Sequence, residues 1–229
     1  MNSLKMTHLK FQLIGMLMGD AHLQPSTKKD TARIKIIHGR KQYLYVNHKY
    51  NLLKLWTRMP IRLYQDKNKN GMVYKKYYFN SLMQPQLFFF YHLFYQNKKK
   101  RVPPYFHRYF HPIVFAYWFM DNGAAKWVNH SKGIRLCTDN FTKSEVDLLA
   151  NKINEKYNWS ISVYKQRNNY RLYIPNKNYE FSLYIFPFII KSMVYKLPLP
   201  KGFINEHKSD VSLSHPRGEE APKGRAVRP

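Results

Sequence analysis

Two apolar stretches that end in the same way constrain this chain more than any other feature. The longer covers residues 114–120 and ends at an Asp-Asn-Gly tripeptide, residues 121–123. The shorter covers residues 13–18 and is followed by Gly-Asp-Ala, whose carboxylate is Asp20. Asn122 lies 102 residues after Asp20, close to half the length of the 229-residue chain. The spacing predicts one structural plan used twice.

Each apolar stretch is typical of a buried helix, because neither has a polar face. Gly123 predicts a left-handed stop just past the second helix. Asp20 and Asn122 would then lie at helix C-termini, where the dipole disfavours a carboxylate by roughly 0.3–1 kcal/mol. Two core helices with polar ends would give the same pattern. The repetition favours a second interpretation, in which the two ends meet around a cation.

The residues of the two stretches resemble a known family. Residues 116–123 read Ala-Tyr-Trp-Phe-Met-Asp-Asn-Gly. They are similar to the second motif, Ala-Tyr-Trp-Phe-Met-Asp-Asp-Gly, of one subgroup of single-chain LAGLIDADG homing endonucleases. Residues 13–21 fill the nine positions of the first motif. The resemblance covers roughly residues 8–205 and implies an α+β fold. Two pseudo-symmetric half-domains, each of mixed α/β structure with an antiparallel saddle sheet, would pack their motif helices at the interface.

The resemblance also implies an activity and its residues. The family members are intron-encoded, site-specific DNA endonucleases that hydrolyse phosphodiesters with a metal ion. Asp20 and Asn122 fall on the metal-binding positions, and Mg²⁺ is the expected cofactor. Lys100, three residues before Pro103, matches a catalytic lysine, with its neighbour Lys99 as the alternative register. Lys196, within Tyr-Lys-Leu-Pro, matches the second catalytic lysine.

Asn122 departs from the family motif, which has a second aspartate there. An amide oxygen can ligate Mg²⁺ but brings no charge. We therefore expect weaker metal binding, with nicking of one strand, slow cleavage or binding without cleavage. Asp121 precedes it by one residue, and on a helix it is expected to point elsewhere.

The charge of the chain predicts a polyanionic partner. The formal net charge is +26 and the sequence pI is about 10.0. Nucleic acid is the first candidate and an anionic membrane the second. No apolar run approaches the roughly 20 residues that span a bilayer. The single cysteine, Cys137, excludes an internal disulfide. Residues with AT-rich codons are abundant before residue 206, which indicates a mitochondrion or another organelle with an AT-rich genome.

Alternating apolar and basic residues predict half-exposed strands whose outward side chains contact nucleic acid. Residues 32–38 show the pattern, and hairpins are predicted around an Asn-Gly pair at 70–71 and around residues 167–169. The candidate nucleic-acid contacts are Arg33, Lys35, Lys75, Lys76, Arg135, Lys165, Arg167 and Arg171.

The repeat divides the chain into residues 1–102, an N-terminal half-domain with its linker, and 103–205, a C-terminal half-domain. Each is expected to run helix, strands, helix, strands, helix. Thr142 and Glu145 predict a capping box, and Pro187 is expected to bend or end a late helix. Residues 206–229 lack aromatics and predict a disordered tail.

Two other functions compete with a nuclease that acts as a monomer on double-stranded DNA. An RNA maturase, or another nucleic-acid-binding protein of the same fold, would use the same basic surface on the host intron RNA and would tolerate Asn122. A basic peripheral membrane protein is disfavoured, because the cationic residues are spread along the chain and do not follow one amphipathic helix.

Overall fold

The computed structural model of the chain describes residues 3–67, 70–127, 131–199 and 203. Within them, two compact units can be distinguished by their internal contacts. One unit contains the residues up to 20 and those from 92 onward, and the other contains residues 21–91. Both motif helices belong to the first unit. The predicted tail, residues 206–229, lies outside the described residues.

The first half of the chain alternates helices with pairs of strands. In order, its elements are α1 (Ser3–Met18), β1 (His22–Pro25), β2 (Ala32–Gly39), α2 (Tyr43–Leu52), β3 (Arg62–Lys67), β4 (Val73–Asn80) and α3 (Pro85–Phe94). A two-residue hairpin follows, formed by β5 (Tyr95–Gln96) and β6 (Lys99–Lys100).

The second half repeats this order. Its elements are α4 (Pro112–Asn122), β7 (Gly123–Trp127), β8 (Ser131–Leu136), α5 (Lys143–Tyr157), β9 (Ser162–Gln166), β10 (Asn169–Ile174) and α6 (Glu180–Ile185). Short 3-10 turns follow at Phe186–Phe188 and Lys191–Lys196. The predicted helix–strands–helix–strands–helix plan and the α+β class are confirmed.

Two four-stranded antiparallel sheets carry the strand pairs, and both have the same neighbour order. In the first sheet the order is β1-β2-β4-β3, and in the second it is β7-β8-β10-β9. Burial alternates strictly along β2, so one face of the first sheet packs on its own core and the other faces outward. The repeated topology extends the twofold sequence plan to the strands.

Local signals in the sequence fold as predicted. Gly71 takes a positive φ of 75° in the turn between β3 and β4. Thr142 and Glu145 form a reciprocal capping box at the start of α5. Helix α6 ends just before Pro187, which lies in the following 3-10 turn. A proline lacks the N–H that would continue the helical hydrogen bonds.

The two motif helices, α1 and α4, pack directly on each other within the first unit. Gly15 makes the close approach possible, since a Cβ there would lie 2.6 Å from the carbonyl oxygen of Val114 and 2.7 Å from Cβ of Tyr117. Gln12 Nε2 donates a hydrogen bond to the Tyr117 hydroxyl at 3.2 Å across the same interface. The tight packing brings the C-terminal ends of both helices together.

The end of α4 differs from the expectation for Gly123. Its φ of −83° and ψ of 150° are extended, so the predicted left-handed stop is wrong. Glycine is required for space, because a Cβ at this position would lie 2.1 Å from Cδ2 of Phe119. The chain leaves the helix directly into β7.

Within the described residues, no helix combines the length and the apolarity needed to cross a lipid bilayer.

The two compact units are distinguished by their internal contacts and do not follow the sequence repeat. The boundaries at residues 102 and 205 therefore stay predictions.

Candidate active site

Asp20 and Asn122 meet where the two motif helices end. The Asn122 Nδ2 donates a hydrogen bond of 3.3 Å to Asp20 Oδ1. Asp20 is exposed, whereas Asn122 is half-buried. The Asn122 Oδ1 is buried and makes no hydrogen bond to any described residue. The structure thus brings together the two side chains that the sequence assigned to metal binding.

Asp121 does not point away from Asp20 as expected. The residue is only 8% exposed, and its Oδ2 accepts a hydrogen bond of 3.0 Å from the backbone N–H of Asp20. A carboxylate oxygen of Asp121 lies within 4.8 Å of one of Asp20. The expectation from helical direction failed because α1 crosses α4 closely enough to place its own end against residue 121.

Each motif helix has a lysine at its C-terminal end. Lys100 Nζ donates to the carbonyl oxygen of Gly19 at 2.7 Å. Lys196 Nζ donates to the carbonyl oxygens of Met120 at 2.5 Å and Asp121 at 3.1 Å. These carbonyls belong to the last turns, where helices lack internal partners. The two catalytic lysine candidates, Lys100 and Lys196, therefore occupy equivalent positions at the two helix ends. Lys99, the alternative register, is exposed.

The site is built from oxygen ligands and ammonium groups, which fits a centre for a hard divalent metal ion. Hard divalent cations prefer carboxylate and amide oxygens, of which Asp20 and Asn122 supply one each. The unpartnered Asn122 oxygen supports the fit, because an unsatisfied buried acceptor costs about 1–3 kcal/mol. The lysines offset the negative ends of two helix dipoles beside the acidic groups.

The contacts of the two lysines predict a structural role that can be measured without substrate. Lys100→Met and Lys196→Met should each lower stability by about 1.5–3 kcal/mol, because a charged donor to a helix-terminal carbonyl is lost. Thermal unfolding should shift down by roughly 3–12 °C for a chain of this size. Lys99→Met and Lys191→Met are matched controls, since both side chains are exposed on the same segments. Equal shifts in tested and control variants would exclude the capping contacts as the cause.

The outer face of the first sheet carries Arg33 and Lys35, as predicted from alternation. Gln24 Oε1 accepts two hydrogen bonds from the Arg33 guanidinium, at 2.9 and 2.7 Å, and holds it in place. The cross-strand register adds Tyr78 and Arg62 to the same face. Neither these two residues nor Gln24 is among the contacts predicted from the sequence.

Lys75 and Lys76 lie on opposite faces of β4. Lys76 is opposite Gly39 and Tyr64, on the outer face, and its Nζ lies 3.5 Å from Asp66 Oδ2. Lys75 shares its face with the buried Tyr77 but lies near the end of the strand and is exposed. Lys76 therefore lies on the outer face of the sheet, and Lys75 does not.

The outer face of the second sheet carries Arg135 and Arg171. Arg135 pairs across the sheet with Tyr173, and Arg171 with Tyr164, so basic and aromatic side chains alternate there. Arg171 is bound by Asp139, with its Nε 2.7 Å from Oδ1 and its Nη2 2.5 Å from Oδ2. Its guanidinium is fixed, and part of its donor capacity is used within the protein.

The two remaining basic candidates lie at the β9–β10 hairpin. Lys165 is exposed and pairs with Tyr170, on the face that carries the buried Leu172. Arg167 lies in the turn with a φ of 57° and is exposed. These side chains extend the basic character to the hairpin tip without belonging to the outer face.

Known proteins resemble this chain over most of its length. The model of the LAGLIDADG DNA endonuclease family matches residues 12–181. The DNA endonuclease I-ChuI of Chlamydomonas applanata is 30% identical over 200 residues, which cover 81% of this chain and 92% of the relative. The cytochrome b mRNA maturase bI2 of Debaryomyces hansenii is 28% identical over 192 residues, covering 81% of this chain and 71% of the maturase.

A solved structure shares the fold. The homing endonuclease I-WcaI, bound to its DNA recognition sequence, superposes with a TM-score of 0.78 and 29% identity, covering 84% of this chain and 86% of that protein. The family model spans well over half of the chain and includes α4, β8 and most of the first half. The match of the family model to residues 12–181 therefore shows that the chain belongs to the LAGLIDADG DNA endonuclease family.

Proposed function

We propose that the protein is a site-specific, metal-dependent DNA endonuclease of the intron-encoded homing type, with cleavage limited by Asn122. The observation that carries this proposal is the meeting of Asp20 and Asn122 at the ends of two helices, each with a lysine at its last carbonyls. Membership of an endonuclease family and the similarity to a homing endonuclease bound to its DNA support it.

Phosphodiester hydrolysis requires an activated water and stabilisation of charge on the phosphate and the leaving oxygen. Asp20 and Asn122 would hold the metal through their side-chain oxygens. Mg²⁺ supplies Lewis-acid polarisation and a more acidic water when bound. Asp20 is exposed, which leaves its carboxylate accessible to a phosphate and to solvent.

Lys100 and Lys196 would act on the charge that develops at phosphate. Each ammonium is already held at a helix end by backbone carbonyls, so it is preorganised next to the acidic groups. A preorganised cation stabilises a developing negative charge without reorganising during the reaction. The pair gives each half of the site its own cation.

Asn122 makes the two halves unequal. The amide contributes an oxygen but no charge, and its Nδ2 points at Asp20 Oδ1. The half that depends on residue 122 should bind metal more weakly. We expect one strand of a target to be cut faster than the other, so that nicked DNA accumulates before linear DNA.

The outer faces of the two sheets would read the target. Phosphate contacts by lysine and arginine supply affinity, and base-edge contacts supply specificity. Arg33, held by Gln24, is suited to a bidentate contact with a guanine. The protein is expected to act as a monomer, with half-domains at 1–102 and 103–205, in a mitochondrion or another organelle.

The experiment for this proposal uses a plasmid carrying the host gene without its intron. Incubation with protein and Mg²⁺ should give nicked and then linear plasmid, and EDTA should prevent both. A plasmid that carries the intron-interrupted gene is the control and should remain supercoiled. Equal products from both plasmids, or none from either at saturating protein, would contradict a homing endonuclease.

RNA maturation is the second candidate function. The 28% identity to a cytochrome b mRNA maturase favours it, and the basic, aromatic faces suit RNA as well as DNA. Splicing of the host intron should be measured with and without protein alongside the plasmid assay. Stimulated splicing without cleavage would establish the maturase and overturn the nuclease.

The outer face of the first sheet gives a prediction for DNA affinity. Lys35→Ala should weaken binding and reduce the slope of log K against log salt by about 0.9, the value for one lost phosphate contact. Lys75→Ala is the matched control, because it removes the same charge from the opposite face of the same sheet. Binding is measured in EDTA between about 50 and 200 mM salt. Equal losses for both variants would contradict the assigned face.

A further inference from the structure

The two motif helices differ at the residue that precedes each metal-binding candidate. Before Asp20 this residue is Gly19, and before Asn122 it is Asp121. Both ends have a lysine at their last carbonyls, and they differ in the metal-binding candidate as well as in the residue before it. The difference therefore distinguishes the first half of the site from the second.

Asp121 is directed at the backbone of the opposite helix end. Its buried carboxylate accepts the N–H of Asp20 at 3.0 Å. Burial shields this hydrogen bond from competition by water and strengthens it. The contact fixes the backbone from which the Asp20 side chain projects.

Gly19 provides the space for this carboxylate. A Cβ at residue 19 would lie 2.3 Å from Asp121 Oδ2 and 2.5 Å from Asp121 Cβ. Both distances are well inside van der Waals contact, so any other residue at 19 would displace Asp121 or separate the helices. Residue 19 has no side chain to offer in return, and Asn122 receives no equivalent hydrogen bond from it.

We propose that Asp121 is a positioning residue that holds Asp20 in the orientation needed to bind the metal, through a hydrogen bond for which Gly19 makes room. The inference rests on the proposed nuclease function for its catalytic consequence, but not for the contact itself. It assigns a role to the carboxylate of the Asp-Asn pair that does not occupy the metal-binding position of the motif.

Asp121→Ala and Asp121→Asn separate positioning from charge. The amide oxygen of asparagine can accept the same N–H, whereas alanine cannot. Asp121→Ala should lower kcat by about 10–100-fold, since small misplacements of a catalytic group have effects of this size. KM for the DNA target should stay near the wild-type value. Asp121→Asn should recover most of kcat, and a loss as large as that of the alanine variant would overturn the proposal.

A second measurement does not depend on cleavage. Hydrogen exchange of the Asp20 amide should be slow in the wild type and in Asp121→Asn, and fast in Asp121→Ala. Mn²⁺ binding to the DNA complex should weaken in the alanine variant alone. Unchanged protection of the Asp20 amide in Asp121→Ala would overturn the positioning role. If the wild type does not cut its target but the exchange pattern holds, the proposed function fails and the positioning contact stands.

Discussion

Asp20→Asn is expected to lower cleavage of both DNA strands by about 100-fold or more, while target binding in EDTA stays within about threefold of wild type. The metal supplies several kcal/mol of transition-state stabilisation, and each 1.36 kcal/mol is tenfold in rate. Asp20 is the exposed carboxylate of the site. Of the two residues assigned to metal binding, Asp20 has a carboxylate and Asn122 has a neutral amide. Its loss removes the charge that attracts the cation.

Binding without metal should be unchanged or slightly tighter in this variant, because a negative charge beside the DNA backbone is removed. Loss of binding would indicate misfolding instead. Asp147→Asn is the control, since Asp147 is a surface carboxylate paired with Lys143 at 2.6 Å on α5. Cleavage is measured in single-turnover reactions on supercoiled plasmid. Wild-type rates in Asp20→Asn would remove Asp20 from the chemistry.

Asn122→Asp is expected to raise the rate of double-strand cleavage and to shorten the lifetime of the nicked intermediate. The substitution gives the second half of the site a charged ligand in place of a neutral amide. It also replaces the Asn122–Asp20 hydrogen bond of 3.3 Å with two carboxylates in close proximity. Without a metal these like charges repel, and the negative helix end adds about 0.3–1 kcal/mol.

The variant should therefore unfold at a lower temperature than wild type in EDTA and gain more stability on adding Mg²⁺. Ligand binding to the folded state stabilises by RT ln(1 + [L]/Kd), so a tighter site gives a larger shift at the same Mg²⁺ concentration. Asn151→Asp, on the exposed face of α5, controls for added charge. No gain in cleavage of a verified target, together with an unaltered Mg²⁺ shift, would contradict the assignment of residue 122.

Local signals in the sequence were sufficient for much of the fold. The capping box at Thr142, the turn at Gly71 and the break at Pro187 each depend on a few neighbouring residues. The pairing of Asp20 with Asn122 followed from a repeat and a motif. These features needed no knowledge of how distant segments pack.

The direction of Asp121 and the role of Gly123 could not be predicted, because both depend on close packing of side chains and helices. The direction of Asp121 depends on the approach of α1, which is set by space at Gly15 and Gly19. Gly123 is likewise required by contact with Phe119 and not by a left-handed backbone. Spacing along one helix carries no information on either contact.

The faces of the strands could have been assigned more fully from the sequence. In β4, Lys75 has the same parity as the buried Tyr77 and Phe79, so the sequence already places it on the face opposite Lys76. The contribution of Tyr78 and Arg62 required the cross-strand register, which alternation alone does not specify. Strand parity distinguishes outward from inward basic residues, which charge alone does not.

The central claim is that residues 20 and 122 jointly bind a divalent ion against a DNA strand. Its most direct test is a crystal structure of the protein with its DNA target and Mn²⁺, with data collected at the manganese absorption edge. An anomalous peak is expected within bonding distance of side-chain oxygens of Asp20 and Asn122, in contact with a phosphate. Manganese bound elsewhere on the DNA, with neither residue as a ligand, would contradict the central claim.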